Sequence, residues 1–342
     1  MSWTMCAWIA AFTLAALPLL SSAAAADPAA WPTAAEQNAR LGRGVNIFGY
    51  DPGWRLPERR RMQDKHFRLI REAGFTGVRI PLHAFRHMGD TPDYTLSEQW
   101  YETLDWAVDQ ALANDLTVIL DMHEFNRMAR DPEGNQARLM AFWRQVAAHC
   151  KDRPSSVIFE ILNEPHGDLT PEMWNEMLRE PLAIIREANP SRTVIIGPGQ
   201  WNQIAQLDKL ELPEDDRNII VTIHYYEPFA FTHQGASWAG NRPTGIEWTG
   251  TPEEQQAIMR DFDRAEAWSE EHDRPIFLGE FGAYDKAGMA SRARWTDFIA
   301  RQAEARGWSW AYWQFDSDFI VYDIDADRWV EPIRDALVPP EE

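Results

Sequence analysis

Cysteine is almost missing from this chain. There are two in 342 residues, and one of them, Cys6, falls in a leader-like stretch. Removal of that stretch leaves Cys150 alone, so the rest of the chain can form no internal disulfide and must be stabilised by its core. Basic residues are also short, with 33 Lys and Arg against 53 Asp and Glu and a formal net charge of -20. Such a surface repels nucleic acid and anionic membrane and suits a neutral partner. Several signatures are absent too. No G-x-G-x-x-G follows the first strand and no G-x-x-x-x-G-K-S/T occurs, so nothing supports nucleotide binding. His123-Glu124 is not followed by a second histidine four residues on, which removes the zinc-protease pattern. A serine-hydrolase G-x-S-x-G is lacking. No linker rich in Gly, Pro or Ser divides the chain.

What is present begins with an apolar run, Ala7 to Leu20, too short to span a bilayer with confidence. The small residues Ser21 to Ala26 follow it and offer A-x-A cleavage frames, although no Lys or Arg precedes the run. The expectation is a signal peptide over 1–26 and an exported protein, with no membrane association after cleavage. Residues 27–342 are then the catalytic unit, with 27–43 as a lead-in.

From residue 44 a pattern repeats eight times. Short apolar stretches read as strands at 44–49, 77–82, 117–123, 157–165, 193–197, 219–226, 275–282 and 307–315. Between them lie amphipathic helical stretches at 62–73, 97–113, 136–150, 170–188, 251–272 and 289–306, with a weaker one at 203–210 and a last one at 331–337. Ser97 and Thr170-Pro171 are helix starts by their capping chemistry, and Gly74 is a helix stop. Nearly continuous apolar strands alternating with helices imply a parallel sheet covered by helices. Eight such units predict a single α/β domain, a closed (β/α)₈ TIM barrel.

In such a barrel the reacting groups sit where strands end. The stretch V-I-F-E-I-L-N-E-P, Val157 to Pro165, ends in Asn163 and Glu164, and proline should hold Glu164 extended. P-I-F-L-G-E-F-G, Pro275 to Gly282, delivers Glu280 between two glycines. Arg79, His123, His224, Tyr226 and Trp313 occupy other strand ends. A lone histidine or aromatic at such a place is more often packing than chemistry, but so many polar groups converging on one rim argues for a site. Two carboxylates near one another and out of water push one towards its protonated form, giving a general acid beside an ionised nucleophile. That pairing suits glycoside hydrolysis. Glu160 reads as a deeper, structural group, and Asp121 as an orienting partner of Arg79 or a histidine.

Asn163-Glu164-Pro165, Arg79-Ile80-Pro81, His224-Tyr225-Tyr226, Gly279 to Gly282 and Tyr312-Trp313 together resemble glycoside hydrolase family 5, the cellulase family. The stretch from His224 to Gly235, with Trp238 after it, is similar to the family's endo-β-1,4-glucanases. The resemblance covers nearly the whole chain after the leader. It implies Glu164 as acid/base, Glu280 as nucleophile held by Arg79 and Tyr226, Asn163 on the sugar 2-hydroxyl, His123 and His224 lining the cleft, and Trp313 beneath a sugar ring. It also implies a retaining endoglucanase acting on a β-glucan. A single barrel of this size is sufficient as a monomer, and the histidines, scattered on separate elements, give no reason to expect a metal or cofactor. Mannan, glucomannan and mixed-linkage β-glucan stay open as substrates, and a non-catalytic polysaccharide-binding barrel is the alternative of another kind. Trp54, Trp201, Phe229, Trp238 and Trp248 in the βα loops are candidate sugar platforms.

Overall fold

The computed structural model describes residue 1, residues 31–240 and residues 243–340. Beyond Met1, the expected leader and Cys6 lie outside the described residues. Among those described, no helix is long and apolar enough to cross a membrane.

Eight parallel strands close into a barrel in sequence order, with the first pairing both the second and the eighth. They are β1 (Arg43–Asn46), β2 (Gly77–Leu82), β3 (Thr117–Met122), β4 (Val157–Glu160), β5 (Val194–Ile196), β6 (Ile219–Tyr225), β7 (Ile276–Phe281) and β8 (Ser309–Tyr312). Among the described residues the helices of seven residues or more are α1 (Ala34–Leu41), α2 (Asp64–Glu72), α3 (Glu98–Ala113), α4 (Pro132–His149), α5 (Pro171–Met177), α6 (Arg179–Ala188), α7 (Pro252–His272), α8 (Met289–Ala305) and α9 (Glu331–Leu337). Between β5 and β6 there is no long helix, only a short turn, Gly199–Asn202, and a 3₁₀ segment, Ile204–Lys209, where the sequence pattern is weak. The barrel expected from the sequence is therefore the fold.

Several boundaries differ from the sequence reading, each for a local reason. Helix α4 starts at Pro132, four residues before the expected start, because Asp131 caps it by accepting from the Gly134 N–H at 2.9 Å. The expected helix over 170–188 is broken at Leu178: Pro181 has no N–H to give the carbonyl four residues back. Strand β4 ends at Glu160, and β1 and β8 also stop short of their expected ends. The chain beyond those points runs up to the site on single backbone hydrogen bonds to its neighbours, such as the Ile161 N–H on the Ile195 carbonyl at 3.1 Å and the Asn163 N–H on the Met122 carbonyl at 3.0 Å. The lead-in at 27–43 contains α1, whose Thr33-x-x-Glu36 forms a capping box. The Thr33-x-x-Glu36 spacing is itself a helix-start signal in the sequence.

Because side chains alternate across a strand, the inward residues form layers. Low in the barrel these are Ile119, Ile158, Ile195, Ile220, Phe277 and Ala311, packed with Ala34 and Leu41 of α1. Helix α1 thus closes the bottom, and Asn38 pins it by donating to the Ile276 carbonyl at 3.1 Å and accepting from the Ser309 hydroxyl at 2.5 Å. Two residues further along β2, β3 and β4 the layer turns polar, with Arg79, Asp121 and Glu160 all fully buried.

If α1 seals the barrel floor, Leu41→Ala should destabilise the fold by about 2–5 kcal/mol in chemical denaturation. Turnover of the folded fraction should be unchanged. A loss well under 1 kcal/mol would mean that the helix only rests there.

Candidate active site

The polar layer is organised by Arg79, which reaches into the barrel from the middle of β2. Its guanidinium has five N–H donors in a fixed fork, and every one has an acceptor. Nε and Nη2 grip Glu160 bidentately at 2.6 and 2.9 Å. The second Nη2 hydrogen goes to Asn163 Oδ1 at 2.8 Å. Nη1 donates to Asn46 Oδ1 at 2.9 Å and to Glu280 Oε1 at 2.7 Å. Asp121 Oδ2 lies 3.0 Å from Nη2 as a further charge partner. Asp121 also receives His123 Nδ1 at 2.5 Å, so it touches both groups that the sequence reading offered for it.

Glu280 arrives opposite His224 through an irregularity in β7. Ile223 pairs with Leu278 but His224 pairs with Glu280, so Gly279 is an extra residue in the ladder. The bulge changes the facing of everything after it. Only glycine fits there, since a Cβ would meet Thr222 Oγ1 at 2.5 Å and His224 Nε2 at 3.0 Å. Gly282 is as tightly placed, with the Trp313 carbonyl 2.3 Å from where its Cβ would be. The Glu280 carboxylate accepts from the Tyr226 hydroxyl at 3.0 Å as well as from Arg79.

Glu164 corrects the sequence reading. Its φ is +41°, left-handed instead of the extended geometry that a following proline favours. The turn is held by His166, whose Nδ1 lies 2.8 Å from the Glu164 carbonyl, and by Trp201, whose N–H donates to the Pro165 carbonyl at 3.2 Å. The twist swings the Glu164 carboxylate towards β6, where Oε1 meets His224 Nδ1 at 2.8 Å. One carboxylate oxygen each from Glu164 and Glu280 and a ring nitrogen of His224 lie within 4.8 Å of one another.

The environments of the two carboxyls differ. Burial pushes Glu164 up to about 8, opposed by the charge of Arg79 and reinforced by Asp121 and Glu160. Burial raises Glu280 as well, but His224 and the Arg79 guanidinium work against the rise. Arg79 and Tyr226 touch Glu280 directly and no cation touches Glu164, so Glu164 is the one that keeps its proton. Burial holds His224 neutral, lowering it to about 4. Tyr226 is pushed well above its usual value, by burial and then by Glu280, and stays a donor. The Glu164, His224 and Glu280 trio could in principle ligate a cation. Both Glu280 oxygens are already bonded, and the Arg79 charge beside them disfavours a second positive ion.

Asn163 presents its Nδ2 with no partner although the atom is buried. Arg79 occupies its oxygen, which fixes the amide so that a donor is left over. Trp313 and His123 lie nearly parallel, 7° apart with centroids at 5.6 Å. Trp201 is 42% exposed and stacks one face on His166, and Trp238 is 57% exposed and meets Tyr284 edge-on. Of the other platform candidates, Trp54 and Trp248 are buried in the core and offer no free face, which corrects the reading for both. Phe229 stacks on His233.

Four residues of this region were missed in the sequence. Asn46 is a polar residue at the end of β1, whereas Arg79, expected at a strand end, stands in the middle of β2. Tyr50, 56% exposed, packs against His83 and lies edge-on to Trp313. His166 follows the Asn-Glu-Pro motif directly. Asn202 sits behind His224, and no pattern in the sequence marks it.

The comparisons with known proteins fit this geometry. The profile of the Cellulase (glycosyl hydrolase family 5) matches residues 38–318. Endoglucanase H of Acetivibrio thermocellus is 32% identical over 94% of this chain, which spans 35% of that protein's length. Among solved structures, Cel5A of Thermotoga maritima, determined with cellobiose and with mannotriose, is 41% identical with a TM-score of 0.85. The match covers 89% of this chain and 99% of that one. A cellulose synthase subunit Z from Clostridioides difficile is 34% identical with a TM-score of 0.81, covering 87% and 99%. With a profile match over most of its length and the polar layer just described, the chain belongs to the cellulase family, glycosyl hydrolase family 5.

Proposed function

We propose that this chain is a retaining endo-β-1,4-glucanase that cuts a neutral β-glucan by double displacement. The observation that carries the reading is the pair Glu164 and Glu280, close together but differently partnered. A separation of roughly 5–5.5 Å between carboxyls is that of retaining glycosidases, with no room for a water between the second carboxylate and the sugar. The 4.8 Å limit on their nearest oxygens agrees with it.

Glu280, kept ionised by Arg79 and oriented by Tyr226, attacks the anomeric carbon. The bond to the departing sugar breaks as its oxygen takes the proton of Glu164. A glycosyl ester on Glu280 remains. Esterification removes the Glu280 charge, so Glu164 now ionises more easily. It takes a proton from water, the water oxygen joins the anomeric carbon, and Glu280 leaves as carboxylate. Protons and charges balance with no cofactor. The spare donor of Asn163 faces a hydroxyl acceptor on the sugar, and we assign it to the 2-hydroxyl. His123 and Trp313 wall the sugar beside the nucleophile. Trp201, next to Glu164, serves the departing side, and Trp238 serves an outlying position beyond Tyr226.

Exposed aromatics on separate loops favour internal cutting of a long chain over capture of its end. A mannan or glucomannan backbone is the second reading, supported by the mannotriose complex of the T. maritima relative. The leader-like residues 1–26 support export, and the barrel is complete enough to act as a monomer.

Glu164→Gln and Glu280→Gln should each lower reducing-sugar release from carboxymethylcellulose and barley β-glucan by several orders of magnitude. With an activated aryl glycoside, added azide should restore turnover to Glu164→Gln and not to Glu280→Gln. Wild-type activity in either variant would remove the carboxylate pair as the engine, and cleavage of mannan alone would overturn the glucan assignment.

The raised acid also acts on stability. A carboxyl with a raised folded value favours folding at low pH, and that contribution is lost as pH climbs through about 8. Glu164→Gln should therefore melt a few degrees above wild type at pH 9 and close to it at pH 5. A lower melting temperature at pH 9 would show that ionised Glu164 is well accommodated.

Trp201→Ala and Trp238→Ala should each raise KM on long glucans by about three- to tenfold, a loss on the order of 1 kcal/mol of stacking. The value of kcat on a short aryl glycoside should hold steady. Unchanged KM would mean that these rings face solvent only.

A further inference from the structure

His224 touches Glu164 with one ring nitrogen, and its other nitrogen faces away from the cleft onto Asn202. Asn202 is fully buried, with Nδ2 3.3 Å from His224 Nε2. It closes a run of three non-glycine residues with positive φ, Gln200 at 53°, Trp201 at 62° and Asn202 at 54°. Such backbone costs on the order of 1–3 kcal/mol per residue and persists only where its surroundings enforce it. The run is tied to the acid's own turn through the Trp201 N–H on the Pro165 carbonyl, and the Asn202 amide oxygen is packed so closely over Gly197 that a Cβ there would lie 2.2 Å from it. The amide is packed against Gly197 with its NH₂ towards the ring, and its buried oxygen has no hydrogen-bond partner among the described residues.

A neutral imidazole donates from one nitrogen and accepts at the other. If Nε2 accepts from Asn202, the ring proton is on Nδ1 and points at Glu164 Oε1. If the amide were turned over, the proton would sit on Nε2, and Nδ1 would accept the acid proton of Glu164. The two arrangements favour opposite forms of the carboxyl, since a donor stabilises the anion and an acceptor the acid. The orientation of one buried amide therefore reaches the acid/base group through a single ring.

Building on the glycosidase reading above, we propose that Asn202 is a positioning residue that locks His224 in its Nδ1–H tautomer, so that His224 donates to Glu164 and favours its anion in the water-activating half of the reaction. The other groups around Glu164 are Arg79, Asp121, Glu160, Tyr226, Glu280 and Tyr50. All of them are unchanged when Asn202 is replaced, so a shift reports this contact.

Two measurements decide it. In wild-type protein, ¹⁵N spectroscopy of the His224 ring should show the proton on Nδ1; a proton on Nε2 overturns the proposal without any variant. Asn202→Gly keeps the positive φ at no steric cost and removes the amide. In the folded variant the alkaline limb of kcat/KM should move up by about half to one pH unit. Turnover of an activated aryl glycoside, limited by the second step, should fall about three- to tenfold. A lower melting temperature with an unmoved alkaline limb means that Asn202 only supports the loop, and the proposal fails. Failure of the glycosidase reading is separate, because it would appear as wild-type activity in Glu164→Gln whatever the tautomer.

Discussion

A single guanidinium with no donor to spare sets the geometry of this protein's active layer. From β2, Arg79 binds groups of β1, β3, β4, the chain just past β4, and β7, so a displacement of any of these elements breaks a buried contact of the guanidinium. A buried cation paired with several carboxylates is costly to assemble and more costly to leave half assembled. Lysine could not replace it, since three rotatable donors cannot reproduce a planar fork. The apolar floor beneath, closed by α1, excludes water from one side and lets the cluster keep its low-dielectric surroundings. Each carboxylate in the layer is then tuned by what it touches: Glu160 is fixed to the fork, Asp121 bridges the fork to His123, Glu280 keeps one cation and one hydroxyl, and Glu164 keeps only a histidine.

Much of this was legible in the sequence because strand ends of a parallel barrel are a fixed place on the fold. Once eight strand–helix units had been counted, Arg79, His123, Asn163, Glu164, His224, Tyr226, Glu280 and Trp313 followed as residues near the ends of six strands. What could not be read is what depends on departures from regular geometry. The positive φ of Glu164 contradicts the ordinary effect of proline and is held in place by His166 and Trp201 from outside the motif. The extra residue at Gly279 looks, in sequence, like any glycine before a glutamate. Asn202 lies in a turn whose backbone resembles neither helix nor strand. Tryptophan count misled in part: Trp54 and Trp248 sit in βα loops by position but belong to the core by packing, a difference that only tertiary contacts settle.

The excess of acidic residues and the chemistry of the site are independent facts. Most of the charge lies on the surface, where a net negative field repels anionic polymers. The layer inside the barrel is itself acidic, four carboxyls to one guanidinium, and there the same sign of charge does the opposite of spreading out. Together with burial, it holds a proton on Glu164.

The bulge at Gly279 makes the position of Glu280 a matter of counting as well as of chemistry. Phe277 faces into the barrel and Leu278 faces the helices, so plain alternation would send a residue two places past Leu278 towards the helices as well. The extra residue at Gly279 resets the facing, and Glu280 lies inward opposite His224. Were His224 paired with residue 279 in a regular ladder, both glutamates would remain in the sequence and Glu280 would leave the polar layer. Where the strand carries its irregularity therefore matters as much as which residues it carries.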